Sequence, residues 1–262
     1  MATTRPPIHV VTYGSWGSGK STFASTFPKP MLVLLFDPLG KEAPYLRRGV
    51  PQPAFIGDQE QPIVQVMSKK NGDKLLVQIE SYHDTEVTTE GQYYPVAYMR
   101  FLKRFPSLYQ EIQDGQWKTV VYDSLTFMEI ATRKMHQYLL HKHEKDSRKW
   151  FAQSSDDIEE AILCRAGGLR CNVVVLAHID EDKDGDVKVY MPTAPGRLRS
   201  RIGAGYAEIY AMRTKRTKDG MQYYLQTRAD VQYAAASVFL NAPDPCEPTY
   251  DALWANYDAQ SK

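Results

Sequence analysis

The residues Gly14-Ser15-Trp16-Gly17-Ser18-Gly19-Lys20-Ser21 satisfy every fixed position of the pattern GxxxxGK[ST]. Glycines at these places let a loop wrap closely enough for its N–H groups to face phosphate oxygens, and Lys20 brings a cation to the β and γ groups. Ser21 offers a hydroxyl to a magnesium ion held between those phosphates. Thr22 either contacts the α-phosphate or packs in the helix that follows, and its residue type leaves both open. The chemistry implied is binding of ATP with Mg2+. A chance glycine turn is a poor rival, because the loop stands between a strand-like run and a helix-like one.

A metal shell also needs a carboxylate, and Thr119-Val120-Val121-Tyr122-Asp123 supplies one at the C-terminal end of an apolar run. Open α/β sheets place ligand-contacting groups at that end of their strands. Asp123 is therefore the candidate for holding magnesium, directly or through water, with Ser124 beside it. His178 ends the run Cys171 to Ala177, where P-loop proteins with an added central strand carry a polar sensor of the γ-phosphate. The bland alternative is a hydrogen-bonded loop histidine. Hydrolysis requires a group that positions the attacking water, and the carboxylates after the second apolar run are the candidates, Asp37 first and Glu42 next. Asp37 precedes a proline and serves equally well as a turn cap.

Three basic groups remain: Arg133 to Lys149, then Arg197, Arg199 and Arg201, then Arg213 to Lys218. Each reads blandly as a solvated face. The second holds no acid within itself, so its arginines suit phosphates, either of ATP across a subunit interface or of a nucleic acid.

The elements that must position these residues follow from periodicity. Ile8 to Tyr13 is a β-branched and aromatic run that meets the glycine loop, and Met31 to Phe36 is a second buried strand ending at Asp37-Pro38. Alternation in Ile63 to Val66 and Lys74 to Ile79, around Asn71-Gly72-Asp73, predicts a β-hairpin inserted within residues 50–95. Helical spacing runs from Val96 to Ile112, and a helix is expected from Leu125 towards Leu140. Residues 141–157 are charged and read as partly loop, before an apolar stripe from Ile158 to Leu169. Cys171 to Ala177 is the most hydrophobic strand. A polar stretch from Asp180 to Gly196 leads to strands over Tyr206 to Met212 and Gln222 to Thr227.

Composition narrows the classes. With 262 residues and 43% apolar content the chain can bury a substantial core. The expected division is one ATPase domain over residues 1–240, with 50–95 as a β-rich insertion, and a C-terminal tail with a short helix over 241–262. The net charge of +1 makes no whole-protein case for a nucleic-acid partner. Three cysteines with no CxxC pair suggest reduced thiols rather than disulfides or zinc. No apolar run is long enough to span a bilayer and no signal segment stands at the N-terminus, so a soluble protein of the cytoplasm is expected, without membrane association.

Taken together, GSWGSGKST, KPMLVLLFDPLGKEAPYLRRG, TVVYDSLT, NVVVLAHID, GRLRSRIGAGYAEIYAM and YYLQTRAD resemble the phage-encoded nucleotide-binding proteins of the RecA-like superfamily, which include single-strand annealing recombinases. The resemblance runs from about Ile8 to Asp230. It implies an α/β RecA-like P-loop NTPase fold, a mostly parallel central sheet flanked by helices, with the strand ending at His178 between those ending at the P-loop and at Asp123. It implies too that Asp180 to Arg201 stands where recombinases carry a DNA-contacting loop, and that Arg213 and Lys215 resemble basic residues reaching a neighbouring subunit's nucleotide. Implied partners are single-stranded DNA, further copies of the chain in a ring or filament, and single-strand-binding or other phage replication proteins; the implied location is the host cell cytoplasm. One departure bears on turnover: RecA-like enzymes place a glutamate two residues after the aspartate of the second strand, and here that residue is Leu39.

Two functional readings share the nucleotide site. In one, a Mg-dependent ATPase acts on single-stranded DNA in phage recombination or replication. In the other, an ATP-dependent regulatory switch binds a protein without touching DNA. A small-molecule kinase would need an acceptor-binding constellation, which the sequence does not display.

Overall fold

A doubly buried strand shows as an unbroken apolar run, and several of the strands that build the centre of this protein read that way. The computed structural model describes residues 5–38, 41–46, 52–56, 64–71, 74–84, 94–184 and 186–260. In chain order the elements are β1 (His9–Gly14), α1 (Lys20–Ala24), β2 (Met31–Leu35), α2 (Ala43–Leu46), β3 (Gln52–Ile56), β4 (Val64–Asn71), β5 (Lys74–Ser81) and α3 (Ala97–Gln113). Then come β6 (Thr119–Asp123), α4 (Leu125–Met135, continued by π-helical His136–Leu140), α5 (Ser147–Glu159, continued by π-helical Glu160–Ala166) and β7 (Asn172–Asp184). The last are β8 (Val187–Pro192), α6 (Leu198–Gly205), β9 (Glu208–Thr217), β10 (Gly220–Gln226), β11 (Ala236–Ser237), α7 (Tyr250–Leu253) and α8 (Ala255–Gln260).

The strand order is β10-β9-β1-β7-β6-β2-β5-β4-β3. From β9 to β5 every pairing is parallel, and the outer strands pair antiparallel. Strand β7 lies between β1 and β6, with Gly14 opposite His178 and Asp123 opposite Leu176. The loop after β1, Asp123 and His178 thus share the C-terminal edge of three adjacent strands. Alternate side chains feed two cores. Val11, Tyr13, Val120, Tyr122, Val173 and Val175 face the layer with α3, α4 and α5, while Val10, Met31, Val33, Val121 and Val174 face Phe23, Phe27 and the C-terminal Trp254.

Three expectations change. The stretch from Asp180 to Gly196 is not a free polar loop: β7 continues past His178 to Asp184 and turns back as β8, with Ile179 opposite Pro192 and Asp182 opposite Val189. The charged segment 141–157 is part loop, as expected: helix begins only at Ser147, where the Asp146 carboxylate accepts the Arg148 N–H and caps it. The strand expected to end at Met212 runs on to Thr217, so the third basic group lies on a β9–β10 hairpin. The hairpin of β4 and β5 joins the main sheet, since β5 pairs in parallel with β2; Gly72 and Asp73 of its turn lie outside the described residues.

One polar network crosses the core. Glu80 on β5 is fully buried and accepts from Nη2 of Arg104 of α3 at 2.8 Å, while Glu111 accepts from Nη1 at 2.6 Å and from the same Nη2 at 2.9 Å. Among the described residues no helix is long and apolar enough to cross a membrane.

Candidate active site

The loop after β1 takes its shape from its glycines. Gly17 and Gly19 have φ of +73° and +96°, which residues with a Cβ rarely adopt. Gly14 serves a different end, since a Cβ there would lie 2.6 Å from the Met212 carbonyl oxygen of β9. Lys20 curls back over the loop, its Nζ donating to the carbonyls of Gly14 (2.8 Å) and Ser15 (3.0 Å). Burial pushes this ammonium down to about 8, against the pull of Asp123 and Asp37. The Ser18 hydroxyl is buried without a hydrogen-bond partner, a polar atom that a phosphate oxygen would satisfy.

A cleft of about 300 Å³ opens beside this loop, lined by Trp16 to Thr22, Asp37, Lys41, Pro44, Asp123, Ser124 and His178. On its floor Asp123 Oδ2 accepts from Ser21 Oγ at 2.8 Å and from the Tyr45 hydroxyl at 2.6 Å. Burial pushes the Asp123 carboxyl up to about 6, with the Asp37 charge adding to the shift and the Tyr45 and Ser21 bonds opposing it. Asp37 accepts from Ser124 Oγ at 2.6 Å. Among the groups gathered here, the Ser21 hydroxyl and the Asp37 and Asp123 carboxylates are hard oxygens of the kind magnesium takes alongside substrate phosphates. The charges of Asp37 and Asp123 add up beside the Lys20 ammonium, a negative site that suits a further cation. The described residues hold no group of three or more His, Cys, Asp or Glu able to cage an ion alone, so a cation there would depend on the phosphates.

His178 lines the cleft with its backbone N–H held by Thr126 Oγ1 at 3.0 Å and its ring against Phe127 at 5.8 Å. Burial, then the Lys20 charge, lowers its imidazole below its ordinary value, favouring the neutral ring. Glu42 is buried but does not line the cleft; its backbone carbonyl accepts from the amides of Tyr45 and Leu46 and so starts α2. Leu39 lies outside the described residues.

The arginines are placed elsewhere. Arg199 pairs with Asp180 and Asp182 of the β7–β8 hairpin, and Arg201 with Glu159 of α5. None of Arg197, Arg199 or Arg201 lines the cleft. The Arg213 guanidinium stacks 3.9 Å above the Tyr233 ring and donates to Gln226 at 2.6 Å, and Lys215 is exposed on β9 opposite Gln222.

The sequence reading passed over three site residues. Lys41 lies with its Nζ 5.4 Å from the Trp16 ring centre at the cleft mouth. Tyr45 reaches the floor from α2, and Tyr223 of β10 lies against the face of Gly19. A lysine in the segment after Asp37 was a visible signal; the two tyrosines had none apart from the fold.

A nucleotide loop, a strand-end aspartate and a polar strand-end histidine on one edge of a β9-β1-β7-β6-β2 sheet define a P-loop ATPase related to the RecA-like superfamily. The chain matches the AAA domain family over residues 6–237 and belongs to it. It aligns with a KaiC-like protein from the hyperthermophilic archaeon Pyrococcus horikoshii at 10% identity and TM-score 0.42, over 84% of this chain and 78% of that one. It also aligns with a prototypical ATPase from the type III secretion system of pathogenic bacteria at 11% identity and TM-score 0.41, over 97% of this chain and 64% of that one. No curated protein matches it.

Proposed function

We propose that this ATPase is a magnesium-dependent switch whose bound nucleotide sets its affinity for a protein partner, without contact to DNA. Ser21 and Asp123 hold the magnesium ion, Lys20 and the loop amides hold the phosphates, and Asp37 orients the attacking water. The observation that carries the choice of partner is the neutralised hairpin. Arg199 is matched by Asp180 and Asp182, Arg201 by Glu159, and Lys188 by Glu181 at 2.7 Å. A DNA strand laid there would have to break these pairs before its phosphates met Arg199, Arg201 or Lys188. Trp16, 79% exposed at the mouth of the cleft, gives a protein partner an aromatic anchor beside the nucleotide. A further copy of the chain, in a ring or filament, is one such partner.

A second reading, action on single-stranded DNA in phage recombination or replication, is favoured by one feature. Lys215, Arg216 and Lys218 are exposed at the β9–β10 hairpin. ATP turnover with and without single-stranded DNA decides between the two, with Lys20→Ala controlling for contaminating ATPase. Turnover that vanishes in Lys20→Ala and ignores DNA supports the protein switch. DNA-stimulated turnover that fades steeply between about 50 and 300 mM salt supports the second reading, because neutralised phosphates release counterions.

A further inference from the structure

Tyr45 is fully buried, yet its one polar atom is spent on the carboxylate proposed to serve magnesium. It arrives from α2, the segment that also carries Pro44 and follows Lys41, both of which line the cleft. Its ring packs in the apolar core that holds Phe23 and Phe27 below the nucleotide loop. Asp123 Oδ2 thus has two donors fixed on it, Ser21 from the loop and Tyr45 from α2, which set the orientation of the carboxylate. The backbone adds a third tie, because the amides of Phe36 and Asp37 donate to the Asp123 carbonyl at 2.6 and 3.2 Å. Asp123 is therefore held from both ends of this stretch, its backbone carbonyl by Phe36 and Asp37 and its carboxylate by Tyr45.

We infer that Tyr45 is a positioning residue for the magnesium site, and that its bond to Asp123 makes α2 the segment through which the protein registers a metal-loaded nucleotide. The inference rests on the magnesium-ATP reading above. Partners that orient a metal-binding carboxylate cost about ten- to a hundred-fold in metal affinity when removed. Coupling between two events is reciprocal, so whatever factor the docked α2 lends to metal binding, metal binding returns to α2 docking. Lys41 stands at the start of this segment, against Trp16 at the cleft mouth, so a firmer α2 presents a firmer rim to a partner.

The test uses the full chain and Tyr45→Phe, which keeps the ring in its core and removes only the hydroxyl. Calorimetry measures ADP affinity in EDTA and in excess Mg2+, and hydrogen exchange follows the Tyr45 and Leu46 amides that bond to the Glu42 carbonyl. The expected result is unchanged ADP affinity in EDTA, a metal-dependent gain reduced about ten-fold, and loss of the extra amide protection that Mg2+·ADP confers on the wild type. A gain within two-fold of wild type, or an equal loss with and without metal, overturns the role of Tyr45. Should wild type itself gain nothing from Mg2+, the magnesium reading falls and takes the Tyr45 inference with it. If Tyr45→Phe unfolds, Asp123→Asn supplies the second arm, because removing the charged acceptor must also abolish metal-dependent protection of α2; protection that persists in Asp123→Asn overturns the proposal.

Discussion

ATP affinity is expected to fall about ten-fold between pH 7 and pH 9, through Lys20 alone. Its ammonium is buried under the nucleotide loop and pushed down to about 8. Only the charged form attracts phosphates, so apparent affinity follows the protonated fraction: about nine-tenths at pH 7, about half at pH 8 and about one-tenth at pH 9. Binding at pH 8 should also take up about half a proton per nucleotide, read by calorimetry in two buffers of different ionisation heat. The stability of the empty protein runs the other way. The folded value lies below the ordinary 10.5, so the unfolded chain binds more protons between the two. That contribution, about 3 kcal/mol at its limit, is present above pH 10.5 and lost as pH falls through 8. Lys20→Arg is the control, because a guanidinium does not titrate in this range. Affinity that is flat from pH 7 to 9, or that falls equally in Lys20→Arg, would refute the assignment of Lys20 as the buried phosphate cation.

Arg104→Met should destabilise the fold by about 3–5 kcal/mol in urea titrations, because it strands the fully buried Glu80 without its cation; adding Glu80→Gln should recover part of the loss. Gly14→Ala should lower the melting temperature by an amount equivalent to about 1–3 kcal/mol, since its Cβ meets the Met212 carbonyl and must spread β1 from β9. Asp37→Asn should cut turnover by about a hundred-fold while nucleotide still binds, and Glu42→Gln should stay within a few-fold of wild type, because Asp37 lines the cleft and Glu42 does not. Single-turnover ATP hydrolysis measures both, and equal effects at the two positions would remove the basis for choosing Asp37.

The central strands were legible because burial on both faces leaves unbroken runs such as Met31 to Leu35 and Val173 to Ala177. The nucleotide loop was legible because its glycines answer a local need, positive φ at Gly17 and Gly19. What failed to show were pairings whose partners are far apart in sequence. The extension of β7 beyond His178 is polar and exposed along much of its length, so it lacks the apolar alternation that marks a half-buried strand. Its stability as a strand comes from β8, and a hairpin register between polar segments leaves little trace in composition. Tyr45 is the same case at the site, being 78 residues from the aspartate it holds.

The arginine cluster shows how that blindness bears on function. Read locally, Arg197 to Arg201 carries no acid and invites a phosphate. In the fold, acids come to it from Asp180, Asp182 and Glu159, as many as 42 residues away. The third basic group escapes this fate in part, for Arg213 pairs with Asp230 at 3.9 Å but the cations after it do not. Among the described residues no ion pair engages Lys215, Arg216 or Lys218, and β9 carries them out along a hairpin whose next strand lays Tyr223 against the nucleotide loop. If any nucleic acid or neighbouring nucleotide binds this chain through phosphates, these lysines and this arginine offer a cluster of cations that no ion pair among the described residues engages. Replacing Lys215 and Lys218 by glutamine therefore separates the two functional readings more sharply than any change at Arg199: a DNA-dependent protein should lose its salt-sensitive binding, while a protein-directed switch should keep both its ATPase and its partner.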